Sequence, residues 1–284
     1  MHSVSRRTFL AASAALPFLV RQAGAQSKVA VGLELYSVRN DWMRDQLGTL
    51  RSVAKLGYEV VEFWAPYYQW TTDQAKETRK VMDDVGVKCL STHNGPASFT
   101  ADGMQKAIDL NQIIGSKAII QSSAPRATTV DEWKKFAEGM TAATEKLRAL
   151  GMTAGFHNHQ TEWPPFAGGT LRPMDVLAAN TPRDFILQFD VGTCVEVGHD
   201  PVAWITANPG RIKSMHCKDW GKGEGRGYGV LFGEGDAPWQ AIFKAAESVG
   251  GVECYLIEQE AGPVEEQMLR AQKCLANFRK IKTP

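Results

Sequence analysis

The sequence predicts a single (β/α)8 TIM barrel of the α/β class, and three observations indicate this fold. Helix-like segments that end in glycine are followed at once by short apolar runs, as in 55-KLGYEVVEF-63 and 113-IIGSKAII-120. Glycine suits the left-handed position just past a helix C-terminus, and β-branched runs suit buried strands. The glycines at positions 57, 86 and 115 recur every 29 residues, which is the size of one βα unit.

Strands and helices alternate along the whole chain in this interpretation. The predicted strands lie near residues 29–38, 58–64, 87–94, 116–123, 152–159, 184–192, 212–219 and 253–260. The predicted amphipathic helices lie near residues 45–56, 72–85, 102–114, 130–150, 172–180, 201–207, 238–249 and 264–281. Eight such pairs in about 250 residues favour a closed barrel. The alternative is an open doubly wound sheet, which would place a glycine-rich turn after the first strand, and Tyr36-Ser37-Val38-Arg39 is not one.

Residues 1–25 resemble a cleaved twin-arginine signal peptide. Arg6 and Arg7 precede an apolar run from Thr8 to Val20, and Ala23-Gly24-Ala25 offers an A-x-A cleavage site. The run is shorter than the roughly 20 residues that a membrane-spanning helix needs. We therefore expect a periplasmic protein without a stable membrane anchor, in which residues 26–284 form one barrel domain.

Charge and cysteine content exclude several classes of protein. The predicted leader contains three arginines and no acidic residue, so its removal changes the formal charge from +1 to about −2. Nucleic acids and anionic membranes call for a basic surface, so neither is an expected partner. The chain has no C-x-x-C pair, which favours buried free thiols over disulfides. The cysteines are Cys89, Cys194, Cys217, Cys254 and Cys274.

Polar residues collect at the ends of the predicted strands, where a TIM barrel carries its functional groups. The strand ends carry Glu34, Tyr36, Arg39, Glu62, Trp64, His93, Asn94, Gln121, Ser122, His157, His159, Glu162, Asp190, Thr193, His216, Lys218, Asp219, Glu258 and Glu260. A charge within an apolar strand is costly unless it is paired or bound to a metal. A ring of carboxylates with imidazole suits Mn, Co, Mg or Zn, so we predict a divalent-metal site.

Two further segments flank the predicted barrel mouth. The run 221-GKGEGRGYGVLFGEG-235 lacks the G-x-x-x-x-G-K-[ST] order, so we expect a mobile loop and not a phosphate cradle. The aromatic cluster 64-WAPYYQW-70 suits either stacking on a sugar ring or covering the mouth, and the sequence leaves both interpretations open.

Several short motifs occur in a fixed order along the mature chain. They are 33-LELYSVR-39, 60-VVEFW-64, 155-GFHNHQTEW-163, 189-FDVG-192, 200-DP-201, 216-HCKD-219, 233-GEG-235 and 257-IEQE-260. With these motifs the chain resembles the xylose isomerase-like barrel superfamily, which includes sugar phosphate isomerases/epimerases and the apurinic endonuclease type 2 fold. The order is specific for the superfamily but says little about the substrate.

The resemblance implies one divalent ion, with Mn or Co favoured, held by residues from strands five to eight. Asp190, His216 and Glu258 match three of the ligands, and the strand-five ligand is either His157 or Glu162. We choose Glu162, because it keeps the three carboxylates and one imidazole that suit Mn or Co. The three-zinc cluster of the endonuclease branch is not expected, since strands four and six lack its additional histidines.

The resemblance also implies an enzyme that abstracts a proton next to a carbonyl on a keto sugar or polyol, as an isomerase or epimerase working through an enediolate. The alternatives are a lyase or hydratase for 3-keto-glycosides or inosose-like substrates, and a non-catalytic periplasmic sugar-binding barrel. A homodimer would fit the relatives. The predicted catalytic residues are Glu162, Glu258, His157 and His159, and the predicted substrate-binding residues are Glu62, His93, Lys218 and Arg39.

Overall fold

The computed structural model describes residues 29–282, and within them eight parallel strands form a closed barrel. The strands are β1 (Ala30–Glu34), β2 (Val60–Phe63), β3 (Lys88–Asn94), β4 (Ala118–Gln121), β5 (Thr153–His157), β6 (Ile186–Asp190), β7 (Ser214–Cys217) and β8 (Cys254–Ile257). They pair in chain order, and β8 pairs with β1 to close the ring. The predicted fold class is therefore confirmed, while the predicted leader lies outside the described residues.

Helices surround this barrel. Those in the described residues are α1 (Arg39–Arg44), α2 (Gln46–Leu56), α3 (Thr72–Val85), α4 (Gly103–Ile114), α5 (Val130–Arg148), α6 (Pro173–Ala179), α7 (Val191–Glu196), α8 (Pro201–Ala207), α9 (Trp239–Ala245) and α10 (Gln267–Lys282). The sequence did not predict α1 or α7. Helix α7 begins directly after β6, because the Asp190 carboxylate accepts a hydrogen bond from the Thr193 N–H and caps the new helix.

The glycines that recur along the sequence end three successive helices. Gly57, Gly86 and Gly115 follow α2, α3 and α4 with φ angles of 96°, 74° and 83°. These positive angles are the left-handed conformation that favours glycine. The repeat therefore marks the points at which each helix turns back towards the next strand.

An apolar plug fills the lower part of the barrel interior. Val60 packs with Leu256, and Ile120 packs with Ile186. A Cβ atom on Gly155 would lie 2.8 Å from the Ile186 carbonyl oxygen, so glycine is needed for this close approach. Side chains alternate across a strand, so the next inward positions after the plug, towards the C-terminal end, are polar.

The larger apolar core lies between the barrel and its helices. All five cysteines are buried and free, which confirms the prediction of buried thiols. No helix within residues 29–282 has both the length and the apolar character that crossing a bilayer requires.

Candidate active site

Four consecutive strands bring His157, Asp190, His216 and Glu258 to the centre of the barrel's C-terminal end. His157 Nε2 lies 3.8 Å from Asp190 Oδ2, and His216 Nδ1 lies 2.9 Å from Glu258 Oε2. His157, Asp190 and Glu258 each offer one ligand atom, and these three atoms lie within 4.8 Å of one another. The same holds for His93, His157 and His216. The site therefore offers two overlapping donor sets that share His157, one of three imidazoles and one of an imidazole with two carboxylates.

Asp190 uses its two carboxylate oxygens differently. Oδ1 accepts the Thr193 N–H at 3.0 Å and caps α7, whereas the buried Oδ2 has no hydrogen-bond partner. A buried acceptor without a donor is costly, and a bound cation would satisfy it. Burial raises the pKa of Asp190, and the Lys218 ammonium opposes this rise. The donor set and the orphaned oxygen together fit a divalent ion.

Lys218 lies beside the same two carboxylates. Its Nζ is 3.6 Å from Asp190 Oδ2 and 3.7 Å from Glu258 Oε2, and it donates a hydrogen bond to Glu260 Oε1. Burial alone would lower the pKa of Lys218, but Glu258 and Asp190 outweigh it and hold that pKa well above its usual value. Burial and Glu258 raise the pKa of Glu260 to about 7. Lys218 is thus a charged donor at the edge of the donor set.

Glu62 lies beneath the donor set and not in the open mouth, and it is fully buried. Its Oε2 lies 2.7 Å from His216 Nε2 and 3.1 Å from His93 Nε2. Its Oε1 accepts hydrogen bonds from Ser91 Oγ and from Gln188 Nε2. Burial would raise the pKa of Glu62, but His93 and His216 outweigh it and lower that pKa to about 2. With every acceptor position occupied, Glu62 positions other side chains in this structure.

The three inner imidazoles differ in charge. Burial lowers the pKa of His157 well below its usual value, and the His216 and His93 rings lower it further. Burial also lowers the pKa of His93. For His216 burial acts in the same direction, but Glu62 and Glu258 outweigh it and hold the pKa well above its usual value. The pKa shifts therefore favour the neutral form of His157 and His93 and the protonated form of His216 when no metal is bound.

The predicted strand-five ligand Glu162 lies in a short 3-10 turn after β5 and belongs to neither donor set. Its Oε2 accepts the His159 N–H at 2.5 Å, and its Oε1 accepts the Thr161 hydroxyl at 2.5 Å. The carboxylate thus caps the turn that follows the strand. The structure brings His157, the other residue considered for this position, into the donor sets.

The remaining predicted site residues lie at the rim of the barrel. The His159 ring is half-buried, with its centroid 4.9 Å from that of His157. The Arg39 guanidinium stacks on the Tyr36 ring and donates hydrogen bonds to the carbonyl oxygens of Tyr36 and Glu260. Arg39 therefore joins the loops after β1 and β8 at the edge of the mouth.

The glycine-rich loop after β7 folds back on the barrel. Asp219 anchors it by accepting hydrogen bonds from the backbone N–H groups of Trp220, Gly233 and Gly235 and from the Trp239 indole. The loop carries Tyr228 to the mouth, where Lys218 Nζ lies 5.0 Å from the centre of the phenol ring. The sequence predicted a mobile loop, and the structure adds anchors that the glycine content did not reveal.

The aromatic cluster after β2 is mainly structural. Tyr67 and Trp70 are buried, and Trp70 packs edge-on against Phe63. Trp64 is only partly buried and meets Tyr36 at 5.9 Å between ring centres. Trp64 therefore packs against Tyr36, whose ring is partly exposed in the loop after β1.

Two buried residues were given no role in the site from the sequence, although Glu34 was noted at the end of the first strand. Gln188 is hydrogen-bonded to Glu62 and to two of the inner histidines, His93 and His157. Glu34 is fully buried, and its Oε1 has no hydrogen-bond partner. Gln188 lies two residues before Asp190 on β6 and so faces the same side. A polar residue at that spacing within the apolar run ILQFD was the available signal.

Comparison with known proteins identifies the family. The family model described as xylose isomerase-like TIM barrel matches residues 50–278. The chain belongs to the xylose isomerase-like TIM barrel family. Inosose dehydratase of Lacticaseibacillus casei is 27% identical over 167 residues, covering 52% of this chain and 55% of that protein. The chain therefore spans about half the length of this curated relative.

Solved structures of family members have the same architecture. A sugar phosphate isomerase/epimerase from Parabacteroides distasonis is 26% identical, with a TM-score of 0.75 over 93% of this chain and 97% of that one. D-psicose 3-epimerase from Clostridium cellulolyticum H10 is 15% identical, with a TM-score of 0.69 over 89% of this chain and 99% of that one, and shares the fold. Relatives of this chain are thus sugar-modifying enzymes, which supports an enzymatic function.

Proposed function

We propose that this protein is a metal-dependent enzyme that abstracts a proton next to the carbonyl of a keto sugar or keto-polyol. The proposal rests on the close approach of His157, Asp190 and Glu258, with His216 Nδ1 beside Glu258 and with Asp190 Oδ2 buried without a hydrogen-bond partner. Two carboxylates balance the charge of a divalent ion, and two imidazoles suit Zn, Co or Mn better than Mg. In this proposal His157 is the strand-five ligand, and Glu162 supports the turn.

A divalent ion held there would supply Lewis-acid stabilisation of the negative charge that develops on a substrate carbonyl oxygen. Lys218 would donate a hydrogen bond from Nζ to a substrate oxygen, since it is buried beside the donor set. His159, half-buried beside His157, would move a proton to or from a substrate hydroxyl. The Tyr228 ring and the Tyr36–Trp64 pair would border the sugar.

Dehydration is the outcome that we favour. The carbon next to the carbonyl loses its proton, its electron pair forms a carbon–carbon double bond, and the β-hydroxyl leaves as water after it is protonated. The similarity to inosose dehydratase supports this reaction. An imidazole at the mouth could protonate the leaving hydroxyl, a step that epimerisation does not need.

Epimerisation is the second candidate. The overlap with a sugar phosphate isomerase/epimerase along nearly the whole chain supports it. The two reactions share the proton abstraction and differ afterwards, because epimerisation returns a proton to the opposite face and releases no water. The same active-site residues would perform the first step of either reaction.

The test is to incubate the metal-loaded protein in deuterated water with inososes, free ketoses and 3-keto-glycosides. NMR would report deuterium next to the carbonyl, and ultraviolet absorbance would report an α,β-unsaturated ketone. Dehydration predicts the unsaturated ketone with no hydrogen left on the carbon next to the carbonyl, whereas epimerisation predicts deuterium at that carbon and an epimer, without the unsaturated ketone. Absence of exchange and of turnover with all three classes would contradict the proposal. Asp190→Asn is the control, because it keeps the shape of the side chain and removes its charge.

A further inference from the structure

Gln188 makes four hydrogen bonds in the floor of the site, and all four join it to other strands. Its Nε2 lies 2.7 Å from Glu62 Oε1 and 2.9 Å from Ser214 Oγ. Its Oε1 lies 2.6 Å from His93 Nε2 and 3.1 Å from His157 Nδ1. The side chain is fully buried, and these contacts use the whole hydrogen-bonding capacity of an amide.

Chemistry determines which way the Gln188 amide faces. An ionised carboxylate can only accept hydrogen bonds, so the amide nitrogen must face Glu62. The amide oxygen therefore faces the two rings and can only accept from them. His93 must carry its proton on Nε2, and His157 must carry its proton on Nδ1.

The tautomer of His157 has a direct consequence for metal binding. A neutral imidazole has one N–H and one lone pair, so a proton on Nδ1 leaves the lone pair on Nε2. That nitrogen lies 3.8 Å from Asp190 Oδ2, on the side of the ring away from Gln188. The opposite tautomer would turn an N–H towards the ion and could not bind it.

Glu62 plays the same part for His216. Its Oε2 accepts from His216 Nε2 at 2.7 Å, so Nδ1 is the nitrogen that faces Glu258 and the proposed ion. Gln188 contacts His157 directly and also donates to Glu62, which holds His216. The Gln188 amide therefore acts on the orientation of both histidine ligands. Such hydrogen bonds behind a ligand orient its ring and set its tautomer.

We propose that Gln188 is a positioning residue that holds His157 as the Nδ1–H tautomer and thereby directs its Nε2 lone pair to the metal position. This inference rests on the proposed metal-dependent function. It adds the reason why a histidine on β5 can serve as a ligand in this chain. Gln188 itself contacts neither the ion nor the substrate.

The first test needs no variant. Ring nitrogens of the chelated wild-type protein, labelled with ¹⁵N at histidine, report the tautomer of each imidazole by NMR, and the His157 signal is assigned by its loss in His157→Ala. We expect His157 as Nδ1–H and His93 as Nε2–H. A wild-type His157 that carries its proton on Nε2 would overturn the proposal.

The second test compares Gln188→Met with Gln121→Met. Methionine keeps the length of the side chain and removes its hydrogen bonds. Gln121 is also buried, but its amide donates to the Ser123 carbonyl and contacts no imidazole in the structure. Calorimetric titration with Zn or Co should give roughly 10- to 100-fold weaker binding for Gln188→Met. Gln121→Met should bind within about threefold of the wild type.

The outcomes separate this inference from the proposed function. A wild-type protein that binds no divalent ion contradicts the metal-dependent function, and the tautomer spectrum still tests the assignment to Gln188. A wild-type protein that binds metal, with a folded Gln188→Met variant of equal affinity and unchanged tautomers, overturns the role of Gln188 alone. An affinity loss of the same size in Gln121→Met would also overturn it, because the effect would then reflect general packing.

Discussion

Asp190 shows how one residue can serve the fold and the site together. One oxygen caps α7, and the other is buried without a hydrogen-bond partner at the proposed metal position. A side chain that caps a helix has a restricted geometry, so the free oxygen is directed by the fold. Asp190 therefore has a structural role, as the cap that accepts the Thr193 N–H, in addition to its proposed role as a metal ligand.

Substitution of Asp190 should separate these two tasks. Asp190→Asn keeps an oxygen for the cap but lacks the charge, so we expect loss of metal binding with little change in the stability of the metal-free protein. Asp190→Ala also removes the cap and should unfold at about 1 kcal/mol lower free energy than Asp190→Asn. Denaturant unfolding and metal titration of both variants test this. Equal stabilities would contradict the capping role.

His157 and Glu162 are the two candidates for the strand-five ligand, and the sequence and the structure favour different ones. The sequence favoured Glu162, whereas the distances favour His157, whose Nε2 lies near Asp190 Oδ2. We expect His157→Ala to lose bound metal and Glu162→Gln to keep it, since a glutamine oxygen can still accept the His159 N–H. Elemental analysis of both proteins tests this. Metal retained in His157→Ala and lost in Glu162→Gln would establish the assignment made from the sequence.

At the scale of elements, the loop after β7 closes one side of the mouth through Tyr228. The Tyr228 hydroxyl donates to Glu196 Oε2 at 2.6 Å and accepts from Gln160 Nε2 at 2.8 Å. These partners follow β6 and β5, so one phenol joins three neighbouring loops. Asp219 holds the base of the loop. The Tyr228 hydroxyl connects the middle of the loop to the segments after β5 and β6.

Removal of the Tyr228 hydroxyl should loosen this wall and leave the chemistry intact. We expect Tyr228→Phe to raise KM roughly three- to tenfold, which corresponds to one or two hydrogen bonds, with little change in kcat. Tyr255→Phe is the matched control, because its hydroxyl donates to Glu247 away from the mouth. Steady-state kinetics test both variants. Equal KM values for Tyr228→Phe and the wild type would contradict the role of the loop.

The strands and most helices could be predicted from local patterns. Glycine after each early helix and an apolar run after each glycine are local signals, and the structure has both. Helix α7 was missed because 191-VGT-193 continues the β-branched character of β6, and its start depends on the capping by Asp190. A side chain that overrides local propensity is visible only in the folded chain.

The sequence predicted many of the residues that form the site, but not that Glu62 and Gln188 lie beneath the donor sets. Asp190, His216 and Glu258 lie at predicted strand ends, and the family resemblance implied them as ligands. Glu62 lies 154 residues from His216 in the chain, and their contact depends on the stagger of the closed barrel. For the same reason the sequence placed Glu62 in the open mouth and did not single out Gln188.

In the molecule as a whole, the apolar core that stabilises the fold is separate from the residues of the candidate active site. The apolar plug and the outer core occupy the lower part and the periphery of the barrel, and the carboxylates and imidazoles of the two donor sets lie at its C-terminal end. In TIM barrels this arrangement allows loops to vary while the scaffold stays intact. It also explains why relatives with different reactions share the same architecture.

We propose that the enzyme acts outside the cytoplasm, because residues 5-SRRTFL-10 resemble a twin-arginine signature. Mass spectrometry of protein recovered from the periplasm of a bacterial host should show a mature chain that begins at Gln26. A variant with Arg6→Lys and Arg7→Lys should remain in the cytoplasm as the precursor. An unprocessed wild-type chain confined to the cytoplasm would contradict this proposal.

The metal content of the purified protein is the most direct test of the proposed metal site. We expect about one divalent ion per chain in the wild-type protein and less than roughly a tenth of that in Asp190→Asn and His216→Ala, since each loses one ligand of the set. Catalytic turnover by a wild-type protein without stoichiometric metal, or full metal content in both variants, would contradict it.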